Sequence, residues 1–297
     1  MIIELFNTIF VHPLMNLLVA IYQVLSSLNI PFPLGFAIIL LTILIRFVLY
    51  PFMASQLRAS KKMQDLAPHL SKLKEKHKGD AQRLQAETML LYKEHGVNPL
   101  AGCLPVLIQL PLLFGLYNVL QQSVKQTDVA KINEFLYSDS LKLTHLWDPH
   151  FFGIPLAQKP AELFTLMPLI AILPILTGVT QFIQSRMMVV TPSDSDIEKK
   201  KKAVKKEPDF ASVFQTQTLY LFPIMIGFFS FTFPSGLSLY WITFTIFGII
   251  QQYKIAGWGG MAPLLAKLER KTAVSDQVLE NYTKKPNKTK KKKKSIR

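Results

Sequence analysis

One charge stands inside an otherwise apolar stretch of this chain: Arg46, in Ile43-Leu44-Ile45-Arg46-Phe47. An arginine deep in hydrocarbon costs about 2.5–3.5 kcal/mol on insertion scales. No Asp or Glu lies in the core of any long apolar stretch to neutralise it. Counted from Leu34, Arg46 sits about 18 Å along a helix. Snorkelling to the nearer interface is the simplest account, but an uncharged run including Pro51 separates Arg46 from Arg58. A water-filled cavity open to the cytoplasm, with Arg46 on its wall, costs less. Thr42 lies one turn earlier on the same face, and Gln109, Gln181 and Gln184 supply further polar groups from other stretches.

Enzyme chemistry has little to stand on. The chain contains no His-Glu-x-x-His, Gly-x-Ser-x-Gly, P-loop or Gly-x-Gly-x-x-Gly. Its six histidines lack metal-ligand spacing, and Cys103 is its one cysteine, so neither a metal nor a cofactor is expected. A proton-driven transporter or an intramembrane aspartyl protease needs an acidic residue within a span.

The elements that must position Arg46 follow from composition. Of 297 residues, 49% are apolar and 18% charged, with a mean hydropathy of +0.25, whereas soluble chains carry about 25% charge. Five stretches approach the roughly 20 apolar residues a bilayer requires: 34–53, 100–121, 163–184, 217–233 and 236–253. The last two meet at Phe233-Pro234-Ser235-Gly236, a turn that forces antiparallel spans. Prolines 105, 111, 168, 174 and 223 predict kinks that neighbouring helices must satisfy. Lys plus Arg number none in 1–33, nine in 54–99, four in 122–160, seven in 185–216 and thirteen from Lys254 onward. This alternation predicts a cytoplasmic 54–99, 185–216 and C-terminal tail, with the N-terminus and 122–160 outside.

Residues 1–33 are apolar enough for a sixth span, but Asn7, His12, Pro13, Asn16 and Gln23 interrupt them and no basic anchor precedes them. An amphipathic helix in the outer interface fits better. No Ala-x-Ala site follows a basic start, so no cleaved signal is expected. The first span then covers 34–55. Segment 56–97 is a basic cytoplasmic hairpin: Met63, Leu66, Leu70 and Leu73 form an apolar seam, and Gly79-Asp80 separates a second helix from Ala81 to His95. Spans two to five occupy 98–253, interrupted by the lysine-rich 185–216. The tail 254–297 ends in the run Lys290, Lys291, Lys292, Lys293, Lys294, whose composition predicts disorder and contact with ribosomal RNA or anionic lipid.

These residues carry a resemblance. Arg46 ahead of Tyr50-Pro51, Asn98-Pro99-Leu100-Ala101-Gly102-Cys103-Leu104-Pro105, Ile108-Gln109-Leu110-Pro111, Phe233-Pro234-Ser235-Gly236-Leu237 and Gln251-Gln252 resemble, in order, the YidC/Oxa/Alb membrane insertases. The resemblance implies an all-α integral membrane protein. Five transmembrane helices would surround a hydrophilic groove open to cytoplasm and lipid but closed outside, joined by the interfacial helix and the cytoplasmic hairpin. It puts the groove arginine on Arg46, its threonine neighbour on Thr42 and an aromatic pair on Tyr240 and Trp241. Where some members carry tyrosine at the second of these, this chain has Trp241. Read without the family, both aromatics are interfacial anchors. The chain is similar to the short form, without a further N-terminal span, a large periplasmic domain or a lipoprotein signal.

The function implied is insertion of nascent membrane proteins into the cell membrane, alone or with a Sec translocon. Ribosomes and anionic lipids are partners; DNA is not. A small channel or anion transporter is the alternative, although it leaves the basic hairpin without a role.

Overall fold

The computed structural model describes residues 1–77, 79–98, 104–124, 129–189 and 210–267. It is built from helices; among the described residues the only strands form a short antiparallel hairpin, His150–Phe151 (β1) with Ile154–Pro155 (β2). Prolines open many of the helices, where a missing N–H costs nothing. Helix α1 runs Ile3–Ser27, through a π-turn at Asn7–Val11. Then come α2 (Pro33–Val48), α3 (Tyr50–Asp65), α4 (Ala67–Lys76), α5 (Ala81–Glu94), α6 (Leu104–Val124), α7 (Val129–Asn133), α8 (Pro160–Leu163), α9 (Ile172–Met188), α10 (Phe210–Thr232) and α11 (Ser235–Ala256).

Two of the expected spans differ in detail. The stretch 34–53 is not one straight helix: α2 stops at Val48, and α3 departs at 65° across Leu49. Pro51 initiates a new helix instead of kinking the old one. The stretch 163–184 likewise begins late, because Pro168 opens a 3₁₀ turn (Pro168–Ala171) ahead of α9. By length and apolarity alone, Ile3–Ser27 and Pro168–Met188 are long enough to cross a bilayer, as is the bent pair α2–α3 taken together. Helix α11 has 22 residues but is less apolar. Its Ser235, Ser238, Thr245, Gln251 and Gln252 are all buried, so its polar groups face protein.

In α1, Val11, Leu14, Met15, Leu18, Val19, Tyr22 and Leu25 are buried at helical spacing and pack on α2, α6 and the segment 129–156. Its polar residues point the same way. Asn16 Nδ2 donates to the Phe135 carbonyl at 2.8 Å, and its Oδ1 accepts from Tyr137 N at 2.7 Å. Gln23 Nε2 donates to the Leu141 carbonyl at 2.9 Å. The end of the same segment holds the α10–α11 turn: Ser235 N donates to Gln158 O and Gly236 N to Leu156 O, each at 2.9 Å. Phe151 of β1 lies flat on Gly35, where a Cβ would sit 2.0 Å from its ring. Helices α9 and α10 cross at Gly178 and Gly227; a Cβ on Gly227 would lie 3.6 Å from Gly178 Cα. Such close backbone approach is the usual way membrane helices gain contact.

On the other side, α4 and α5 pack as the hairpin. Asp80 caps α5 by accepting from Arg83 N at 2.9 Å. Leu66 is buried while Met63, Leu70 and Leu73 are half-buried, and α5 buries no residue fully. The motif segment 99–103, most of the lysine-rich loop (190–209) and the lysine run 290–294 lie outside the described residues.

Candidate functional site

Arg46 lies in the last turn of α2, where the negative end of the helix dipole favours a cation. It is only 3% exposed. Its Nη2 donates to the Phe244 carbonyl of α11 at 2.5 Å, and Cζ lies 3.4 Å from the centroid of the Phe244 ring. A single residue thus offers the guanidinium both a carbonyl dipole and a π face. The Nε has no partner, and no carboxylate pairs with this side chain among the described residues. The cation is held by dipoles and left uncompensated in charge.

Gly248, one turn beyond Phe244, makes this possible. A Cβ there would lie 2.6 Å from Arg46 Nη2 and 2.3 Å from Gln184 Nε2 of α9. The bare glycine therefore lets groups from three helices meet. Gln181, half-buried, lies one turn before Gln184 on α9. Thr42 is buried and donates its hydroxyl to the Ile38 carbonyl at 2.6 Å, so in this structure it is satisfied within its own helix.

Tyr240 lies one turn before Phe244, with ring centroids 5.7 Å apart. Its buried hydroxyl accepts a hydrogen bond from Gln109 Nε2 of α6. Through Phe244, which was not among the expected residues, the structure links three that were, in the order Gln109–Tyr240–Phe244–Arg46, and Gln184 Nε2 reaches the same bare face of Gly248 as Arg46 Nη2. Trp241 is buried in the same apolar core as Tyr240 and has no polar contact to this chain of residues among the described ones. Thr245 Oγ1, Gln251 Oε1, Gln252 Oε1 and Gln109 Oε1 are buried with no hydrogen-bond partner among the described residues. A second polar line joins α9, α10 and α11: Thr177 Oγ1 lies 3.1 Å from Ser230 Oγ, which donates to Ser238 Oγ at 2.8 Å.

Sequence reasoning missed Phe244 and Gly248. The signal for Gly248 was present: a glycine at helical spacing from Tyr240 and Trp241 marks a close approach. Phe244 contributes mainly through its backbone carbonyl, which no residue type announces. Among the described residues, no group of three or more His, Cys, Asp or Glu could hold a metal.

Comparison with known proteins follows the same lines. A family model described as 60Kd inner membrane protein matches residues 24–259. The chain is 37% identical over 227 residues to the membrane protein insertase MisCA of Bacillus subtilis, covering 75% of this chain and 70% of that one. It is 34% identical over 257 residues to the membrane protein insertase YidC 2 of Bacillus anthracis, covering 85% and 82%. A chloroplastic relative, the inner membrane protein ALBINO3 of Arabidopsis thaliana, is 32% identical over 259 residues, covering 80% of this chain and 50% of its own length.

Proposed function

Because the chain belongs to the YidC/Oxa/Alb family of membrane protein insertases, we propose that it inserts nascent membrane proteins by accepting their polar ends beside Arg46. The observation that carries this reading is the state of that arginine: buried, without an acidic partner among the described residues, and held by the carbonyl and ring of Phe244. An incoming carboxylate or hydrated loop exchanges for those contacts rather than stripping Arg46 of a counter-ion. Gln184, Gln181, Thr42, Gln109 and Tyr240 are the polar wall of this groove, and Trp241 borders it. The apolar body of the substrate slides along α9 and α11 into lipid. No step requires a nucleotide or a metal.

In this reading five spans surround the groove: α2, α6, α9, α10 and α11. The cytoplasm lies on the side of the hairpin and tail. Helix α1 lies along the outer face, supported by Asn16 and Gln23, which bond over two turns to the outer segment 135–141. A helix crossing the bilayer would meet that segment at one end only. The β1–β2 hairpin and the bonds from Gln158 and Leu156 to the α10–α11 turn close the outer end. The channel alternative needs a path open on both sides, and these contacts disfavour it. The tail with Lys290–Lys294 receives the ribosome, anionic lipid borders the basic surfaces, and a Sec translocon is a further partner in the cell membrane.

Reconstitution into liposomes tests the proposal. Purified protein should insert a single-span substrate with a short acidic tail without nucleotide, while passing no measurable ion current. Ion flux without insertion would overturn it.

A further inference from the structure

The inner end of α9 is tied down by two elements. A helix C-terminus leaves carbonyls without intrahelical donors. Here Gln64 of α3 reaches across: its Nε2 donates to Met187 O at 3.1 Å and Met188 O at 3.2 Å. The turn after α11 packs against the Met187 carbonyl, beside Gln64. Gly259 has φ +48°, and a Cβ on it would lie 2.1 Å from Met187 O and 3.2 Å from Gln64 Oε1. A Cβ on Gly260 would lie 2.4 Å from Arg186 O. Met187, Gly260 and Met261 are buried. The base of the hairpin, the end of α9 and the start of the tail thus share one joint.

The joint lies close to the polar site. Gln184 precedes Met187 by three residues, about 4.5 Å along the helix axis. Its Nε2 shares the bare face of Gly248 with Arg46 Nη2. Packed helices respond to a push at one end by sliding as rigid bodies, so a displacement at Met187 is felt at Gln184. An uncharged amide suits this position, since it donates to the negative helix end. A carboxylate would repel it.

We propose that Gln64 is a positioning residue for insertion: it couples the cytoplasmic hairpin to α9 and so sets how Gln184 meets Arg46. A partner that moves the hairpin would thereby shift the inner end of α9 and loosen the polar site. This inference rests on the insertase reading, but its geometry can be tested separately.

The experiment uses the full chain in liposomes with Cys103→Ser as background. Spin labels are placed at Lys72 on the hairpin and Val179 on α9, both exposed. Their distance distribution is measured by double electron–electron resonance, alongside the initial rate of insertion of a single-span substrate. Gln64→Leu removes the donor and keeps bulk; Gln64→Arg keeps a donor; Gly259→Ala forces the turn away from Met187 O. Gln64→Leu and Gly259→Ala should each broaden the distribution and slow insertion about tenfold, in keeping with two neutral hydrogen bonds. Gln64→Arg should retain a narrow distribution and most of the rate. The proposal is overturned by a narrow distribution with normal insertion in Gln64→Leu. It is equally overturned by a broadened distribution with unchanged insertion, or by equal loss in the Leu and Arg variants. Should the unsubstituted protein insert nothing, the insertase reading fails while the distances still decide whether the joint exists.

Discussion

Replacing Arg46 by alanine should separate stability from insertion. The side chain contributes one charge-assisted hydrogen bond to the Phe244 carbonyl at 2.5 Å, worth about 1.5–3 kcal/mol. Its stacking on the Phe244 ring adds about 0.5–2 kcal/mol. Against this stands the cost of keeping an uncompensated cation out of water, about 2.5–3.5 kcal/mol on insertion scales. The two sides nearly cancel, so Arg46→Ala should fold and its melting temperature should shift by only a few degrees. Insertion is another matter. A substrate carboxylate about 5 Å from the guanidinium gains roughly 3 kcal/mol at an effective dielectric near 20, equivalent to about a hundredfold in rate. Substrates with acidic translocated tails should therefore slow by about that factor, and neutral-tailed ones far less. Arg46→Lys, which keeps the charge but not the planar fork, should retain much of the activity. Thermal unfolding in detergent and insertion of paired acidic and neutral substrates measure both quantities. Equal rates for all three proteins, or an alanine variant that no longer folds, would refute the reasoning.

Three further outcomes are expected. Deleting residues 60–92 should leave a membrane-inserted, folded protein that no longer inserts substrate, because the hairpin buries little apolar surface of its own; an unfolded product on circular dichroism would make it structural instead. Truncation after Tyr282 removes the lysine run and should weaken ribosome co-sedimentation at low salt, the difference shrinking as salt rises; unchanged ribosome binding with weaker binding to anionic liposomes would assign the tail to lipid. Just ahead of β1, the hydrogen bond from His150 holds the Asp148 carboxyl below the ordinary aspartate value, so Asp148 is ionised at neutral pH and its share of the contact is lost as pH falls through that lowered value. A carboxyl NMR titration should place Asp148 below free aspartate, and His150→Ala should raise it; no change on removing the imidazole would dismiss the contact.

Several features were legible in the sequence because they depend on local chemistry. An arginine without an acidic neighbour is costly in any fold, so Arg46 identified the polar site before its partners were known. Pro234-Ser235-Gly236 favours a reversal of the chain, and Asp80 after Gly79 favours a helix start, which it caps. The ordered motifs identified the family even though the stretch 99–103 lies outside the described residues.

What holds Arg46 could not be read that way. Its partner is a backbone carbonyl, identical in every residue, and the opening beside it is a missing side chain at Gly248. Pro51 is compatible with a kink inside one helix or with the first turn of another, and the packing of α3 against α11 accompanies the second. Asn16 and Gln23 marked α1 as interrupted, but their purpose emerged only with the segment 135–141 that receives them. Gln64 gave no signal, since its two acceptors lie more than a hundred residues away in the chain. Local sequence determines which groups need a partner. Tertiary structure decides which distant backbone supplies it, because hydrogen-bonding groups of the main chain carry no sequence identity.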